Sequence, residues 1–321
     1  MAFDADLIAD RRRLRRKLTF WRAASLLVVA LAIGAGAFAW SGRTRLPGTG
    51  QQIARVSVSG LITGDQRTTD LLKRVGESAL VRGVVISINS PGGTTSGSEE
   101  LFRGIRDLAA KKPTVAFVDG LAASGGYITA LAADRIVARE TALVGSIGVL
   151  FQYPDVSALL GKLGVAVEQI KSGPLKAEPS GFNPTTPEAR AALQSVVNDT
   201  FGWFKGLVGD RRGLSGDGLN TVSDGRVFSA RQGLPLKLVD QLGSERDAIA
   251  WLEREKGVPA ELPVRDWKPR DGSRFSLWSV AAFGADIAGL DEVAASIRSA
   301  ALGTVKLDGL LAVWQPRAVD Q

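Results

Sequence analysis

Thr114-Val-Ala-Phe-Val118-Asp-Gly-Leu-Ala-Ala-Ser124-Gly-Gly-Tyr127 is an apolar β-type run that ends in a serine backed by two glycines. A small-residue segment, Ile128-Thr-Ala-Leu-Ala-Ala133, follows and has helical character. A strand that turns into a helix at Ser-Gly-Gly can present the serine hydroxyl where backbone N–H groups converge. That is the arrangement of an activated nucleophile beside an oxyanion hole. A close-packed glycine turn would read the same way, so the rest of the chain has to decide.

A second glycine-rich turn supplies the first argument. Gly83-Val-Val-Ile-Ser-Ile88 is an apolar, β-rich run, a candidate for a central parallel strand, and it runs into Asn89-Ser-Pro-Gly-Gly93. In a parallel sheet both turns leave the carboxyl edge, where α/β folds place their sites. Glycine allows a backbone N–H to approach and point at a reacting group. Gly93 and Gly125 are therefore the candidate donors to an oxyanion.

Composition supplies the second. The chain of 321 residues has no cysteine and no histidine. Disulfides, thiolate nucleophiles, imidazole–zinc sites and a Ser-His-Asp triad are all excluded. A base for Ser124 must be a lysine, a carboxylate, a tyrosine or a terminal amine. A lysine base must be neutral, which requires desolvation. Of the twelve lysines, Lys171 and Lys176 lie in a loop shaped by glycine and proline, Lys171-Ser-Gly-Pro-Leu-Lys176, and both stand as candidates.

The net charge of +7 is unevenly spread: residues 1–43 hold eight Lys/Arg against three Asp, and the remainder holds 32 against 30. A nearly balanced body argues against nucleic acid as a partner. The basic excess, Arg11-Arg-Arg-Leu-Arg-Arg-Lys17, precedes the uncharged run Ala23 to Trp40. Those residues would span about 27 Å as a helix, enough to cross a bilayer. The charges place the N-terminus in the cytoplasm and the body on the exported side. A signal peptide cleaved after Ala37-Phe-Ala39 is the competing reading. The long charged leader and Trp40 favour an uncleaved anchor.

Elsewhere the chain alternates. Strands are expected at Ile53–Gly60, Arg135–Ala138, Ile147–Phe151 and Val165–Ile170. Helices are expected at Thr68–Gly76, Ser98–Lys111, Val156–Leu163, Ser229–Leu236 and Glu245–Lys256. A long one begins at Pro187, capped by Thr186, and runs to about Arg212. The pattern defines an α/β fold with a mainly parallel sheet. The divisions are a basic N-terminus (1–22), an anchor (23–40), a linker (41–50), a catalytic domain (51–260) and an extension (261–321). The extension is apolar and helix-prone at Phe275–Phe283 and Ile287–Val313 and would pack on the body or on a partner subunit.

Several motifs in order resemble the signal peptide peptidase A family of serine proteases in its short, single-repeat form. They are Asn89-Ser-Pro-Gly-Gly93, Ala123-Ser-Gly-Gly-Tyr127, Ala132-Ala-Asp134, Gly145-Ser-Ile-Gly-Val149, Leu160-Gly-Lys-Leu-Gly164, Lys171-Ser-Gly-Pro-Leu-Lys176, Asp224-Gly-Arg-Val227 and Leu238-Val-Asp-Gln-Leu-Gly243. The resemblance covers about residues 50–255. It implies a Clp protease/crotonase-like fold and a Ser/Lys dyad, with Ser124 as nucleophile and Lys176 as general base. It further implies that Ser146 orients the lysine amine, that Gly93 and the backbone after Ser124 form the oxyanion hole, and that no metal or cofactor takes part. It implies cleaved signal peptides as substrates, a bacterial inner-membrane location with the catalytic domain on the periplasmic side, and a homo-oligomer whose dyads join neighbouring protomers. After the lysine, family members often carry an Asp and then Ser-Pro. This chain has Ala177-Glu-Pro-Ser180. Asp134, Asp224 and Arg226 are read as structural. A crotonase-like acyl-CoA enzyme, a non-catalytic scaffold, and a related protease of misfolded or membrane proteins are the rival readings.

Overall fold

The computed structural model describes residues 50–269, the backbone of Leu311–Val313, and helical residues scattered between 17 and 29. It divides into two compact units, Met1–Gly50 and Gln51–Gln321. Most of the expected anchor, and of the extension beyond residue 269, lies outside the described residues. Among the described residues no helix is long and apolar enough to cross a membrane.

Among the described residues the second unit is built on one nine-stranded mixed sheet. Its strands are β1 (Gln52–Ile62), β2 (Val81–Thr94), β3 (Thr114–Ala123), β4 (Arg135–Ala138), β5 (Leu143–Gly145), β6 (Val227–Ser229), β7 (Gln241–Leu242), β8 (Val264–Trp267) and β9 (Leu311–Val313). The path runs β6-β5-β3-β2-β1-β8, with β4 on β3 and β7, and β9 on β2. The β1–β2, β2–β3, β3–β4, β3–β5, β4–β7 and β1–β8 pairs are parallel. The β5–β6 and β2–β9 pairs are antiparallel.

The continuous apolar runs are explained by burial on both faces. Val84, Ile86 and Ile88 of β2 join a large core with Val56, Val118, Leu72 and Ile105. Val85 faces the other way and joins Ile53, Val115 and Phe117. Helices α1 (Gln66–Glu77), α2 (Thr95–Ala109), α3 (Gly125–Leu131) and α5 (Pro187–Arg212) contribute to the first core; α4 (Ser157–Lys162) buries no residue. The shorter α6 (Gly216–Val222) and α7 (Ala230–Gly233) follow, and α8 (Glu245–Lys256) covers the second face with Ala248, Trp251 and Leu252.

Thr186 caps α5 as expected, accepting from the Ala189 N–H with Pro187 in the first turn, and Gly213 closes it in the left-handed region. Other expectations need correction. Val165–Ile170 is not a strand, and neither is Ile147–Phe151; the strand at that point is Leu143–Gly145. Asn89–Gly93 is not a turn, because β2 continues to Thr94. The helix expected over Ser229–Leu236 is regular only through Gly233. Leu311–Val313, within the segment read as helix-prone, is a strand.

Candidate active site

The two glycine motifs meet because β2 and β3 are parallel neighbours with aligned ends. The last β2–β3 pair is Ser90 with Ala122, after which β3 turns away into Ser124. β2 is then free on that edge. Over Gly92–Thr94 the edge is filled by β9, with Gly92 opposite Val313, Gly93 opposite Ala312 and Thr94 opposite Leu311. On its other side Gly93 pairs with Ile62 of β1. A Cβ at Gly93 would stand 1.8 Å from the Ile62 carbonyl oxygen, so no larger residue fits there. The Ser90 hydroxyl donates to the Gly60 carbonyl at 2.7 Å and accepts from the Gly92 N–H at 3.1 Å, which fixes the strand end.

Ser124 occupies the turn between β3 and α3 with φ 53° and ψ −116°. L-residues rarely adopt such angles, and holding one there costs about 1–3 kcal/mol. A serine at a helix N-cap usually accepts a hydrogen bond from the first turn. Ser124 makes no such side-chain bond, so its hydroxyl is not spent on capping. The residue is 1% exposed. Gly125 opens α3, where backbone N–H groups lack intrahelical partners. Gly126 must be glycine for a different reason: a Cβ would stand 2.6 Å from the Ser90 carbonyl oxygen.

Ser146 reaches the same place from the neighbouring strand. Ala123 pairs with Gly145, and the Ser124 N–H donates to the Gly145 carbonyl at 2.8 Å. One residue further on, Ser146 follows Ser124 in register. It too lies at positive φ, 51°, and its N–H donates to the Arg226 carbonyl at 2.8 Å. Ser124 and Gly125 thus follow directly on β3, Ser146 follows directly on its parallel neighbour β5, and Gly93 lies near the end of β2 on the other side, so all four stand at the carboxyl edge of the sheet. Asp224 and Arg226 pair with each other on the surface, and Asp134 accepts from the Thr114 N–H and pairs with Arg106, so all three have structural partners.

No hydrogen bond joins Lys176 to any of these residues. This lysine is exposed, and its ammonium has no hydrogen-bond or ion-pair partner among the described residues. Lys171 differs: its ammonium bonds the Glu178 carboxylate, and the pair is largely buried. The Lys171 bond holds Glu178 below the usual carboxylate range, and the Ser180 N–H adds to the effect. Lys171 is thus committed to Glu178, and of the two candidates Lys176 is the one without a partner among the described residues.

The sequence reading missed what holds α3 in place. The Tyr127 hydroxyl is fully buried and donates to the Leu238 carbonyl at 2.8 Å; burial pushes its ionisation well above the ordinary phenol value. At the other end, Arg211 donates to the Leu131 and Ala133 carbonyls at 2.7 Å each, and Arg106 donates to Ala132 at 2.8 Å. Partial burial, then the nearby Arg106, lowers the Arg211 guanidinium pKa from its ordinary value. A basic residue at a helix C-terminus is a general signal, but Arg211 is eighty residues from the carbonyl it caps and no local pattern announces it.

A mixed α/β sheet with a strained serine at the end of a central strand, facing a glycine-lined edge, defines a class of hydrolase-like sites. Comparison narrows it. The model of Peptidase family S49 matches residues 106–259. A candidate protease of Methanocaldococcus jannaschii is 40% identical over 189 residues, which are 59% of this chain and 61% of that one. A candidate protease of Synechocystis is 37% identical over 227 residues, 69% of this chain and 82% of that one. A candidate signal peptide peptidase SppA of Enterococcus faecium is 32% identical over 244 residues, 71% and 70% of the two chains. The chain belongs to Peptidase family S49.

Proposed function

We propose that the protein is a membrane-anchored serine endopeptidase of Clp protease/crotonase-like type that degrades cleaved signal peptides with a Ser124/Lys176 dyad. The observation that carries this reading is the Ser124 turn: a strained, uncapped serine followed by Gly125, at the sheet edge where β2 ends near Gly93 and β5 ends before Ser146. Strain of this kind persists where the surrounding structure enforces it. The edge at Gly92–Thr94 adds support, because it pairs with an extended segment in antiparallel register, here β9, whose place a peptide substrate would take.

Lys176 completes the site from a neighbouring copy. A base must be an unprotonated amine, and burial favours that form. In the single chain Lys176 is exposed, within a segment that also exposes Leu159, Leu163, Val165, Ile170 and Leu175. A second protomer packed on these residues removes apolar surface from water and desolvates the lysine together with it. The anchor at 23–40 holds the assembly at the exported face of the membrane, where apolar signal peptides are released.

In this mechanism the neutral Lys176 amine takes the Ser124 proton as Oγ bonds to the peptide carbonyl carbon. The carbonyl oxygen becomes an oxyanion held by the Gly93 and Gly125 N–H groups, each contributing about 3 kcal/mol. The lysine proton passes to the leaving amine as the C–N bond breaks. Water then attacks the acyl-serine, gives a proton to Lys176 and releases the second product as Ser124 is reprotonated. Ser146 accepts from or donates to the amine and fixes its direction.

The test is cleavage of an apolar signal-sequence peptide by the detergent-solubilised protein. Ser124→Ala and Lys176→Ala, both folded, are each expected to lose activity by a factor of about 10³ or more. A folded Ser124→Ala protein with wild-type activity would overturn the reading.

A further inference from the structure

We infer that the Lys171–Glu178 ion pair is a clasp that sets the position of Lys176. This inference rests on the Ser124/Lys176 reading and goes beyond it by naming two positioning residues. It concerns the stretch where this chain departs from the pattern it otherwise resembles, with Glu178 standing near the place where an Asp and then Ser-Pro are common.

Residues 165–183 form no helix or strand, and their apolar side chains are largely turned outward; Ile170 is wholly exposed. A segment with so little packing does not hold a side chain to within an ångström by hydrophobic contact. The ion pair is the exception within it. Lys171 and Glu178 side chains are only 19% and 11% exposed, against a neighbouring Lys176 that is exposed. Both carboxylate oxygens of Glu178 are used, one by Lys171 and the other by the Ser180 N–H at 3.1 Å. The pair closes an eight-residue loop, and Lys176 lies inside it.

Within the loop, backbone turns add to the closure. The Lys176 N–H donates to the Gly173 carbonyl at 3.1 Å and the Glu178 N–H to Leu175 at 3.3 Å. Ala177 sits at φ 60°, a left-handed conformation that a free loop would leave. The loop is therefore held in a defined shape by one charged pair and a few backbone bonds, and the ammonium it displays is the one without a partner. Misplacing a catalytic group by about an ångström can cost about 10²-fold in rate. The clasp holds the loop shape that brings Lys176 to Ser124 across the subunit boundary, while Lys171 itself is withheld from the chemistry.

The test uses the full-length protein in detergent with a fluorogenic apolar peptide, and monitors thermal unfolding in parallel. The variants are Glu178→Gln, Lys171→Met, the exchange Lys171→Glu with Glu178→Lys, and Lys176→Ala. Each single clasp variant is expected to lower kcat about 10- to 100-fold while KM stays within about twofold. The exchange restores the ion pair with its polarity reversed but leaves the Ser180 N–H without its acceptor, so it is expected to recover part of that loss. If one single variant does not fold, the other decides by its kcat, together with the exchange. Folded single variants with wild-type kcat beside an inactive Lys176→Ala, or a folded exchange variant less active than a folded single variant, would overturn the clasp and leave the dyad reading intact. Full activity in a folded Lys176→Ala protein would overturn both.

Discussion

At the scale of single residues, Ser124 is held where serine is unfavourable. Its φ of 53° and ψ of −116° belong to a region that glycine enters without a Cβ penalty. Ser124→Gly and Ser124→Ala should both be inactive, yet the glycine variant should be the more stable by about 1 kcal/mol, the relief of strain outweighing the greater freedom of the unfolded chain. Urea unfolding of the two variants measures this, and an alanine variant at least as stable as the glycine one would show that the turn carries no strain. Four carboxylates bear on acid stability. Glu178 is held low by Lys171, Asp224 by Arg226, Asp155 by the Ser157 hydroxyl and backbone N–H, and Asp247 by the Ser244 backbone N–H and hydroxyl at the start of α8. Each folded pKa lies below its unfolded value, so their contribution is complete above the ordinary carboxylate range of about 4. It is lost as pH falls through the lowered folded values. Unfolding midpoints should hold steady from pH 7 to about 5 and drop below about 4; Asp247→Asn should shrink the drop.

At the scale of elements, α3 is the piece on which the site depends. Seven residues are too few to be stable alone. The helix is fixed by Tyr127 on Leu238 and by Arg211 and Arg106 on its last carbonyls. Arg211→Ala removes two charged hydrogen bonds and should cost about 2 kcal/mol. Faster amide exchange should be confined to α3 and the end of α5, and unchanged exchange there would contradict the role. These ties were not legible in the sequence because they join residues far apart in the chain. The strands buried on both faces were legible, since Val84 to Ile88 is apolar apart from Ser87 and Val115 to Val118 is apolar throughout. So was α5, through Thr186 and Pro187 at its start. Val165–Ile170 misled because alternating apolar residues suit a strand, but a strand needs a neighbour to bond, and none lies beside this segment among the described residues. Leu311–Val313 was missed for the opposite reason: three residues carry no periodicity, and only the free edge of β2 at Gly92–Thr94 makes them a strand.

At the scale of the whole molecule, one chain supplies an ordered serine edge and, apart from it, an exposed lysine loop. The serine half was legible because one glycine motif ends β2 and the other follows β3, its parallel neighbour. The residues alone left Lys171 and Lys176 both open and the resemblance chose Lys176; the bond that commits Lys171 to Glu178 was not legible, because nothing in the sequence pairs those two side chains. If the dyad joins neighbours, mixing inactive Ser124→Ala and Lys176→Ala proteins should restore activity, to about a quarter of wild type for random assembly in a closed ring. A dyad confined to one chain would restore none. The most direct test of the central claim is reaction with a fluorophosphonate, located by mass spectrometry. The account predicts one adduct per active site, on Ser124, formed far more slowly in Lys176→Ala. An adduct on another residue, or cleavage that persists in folded Ser124→Ala protein, would contradict it.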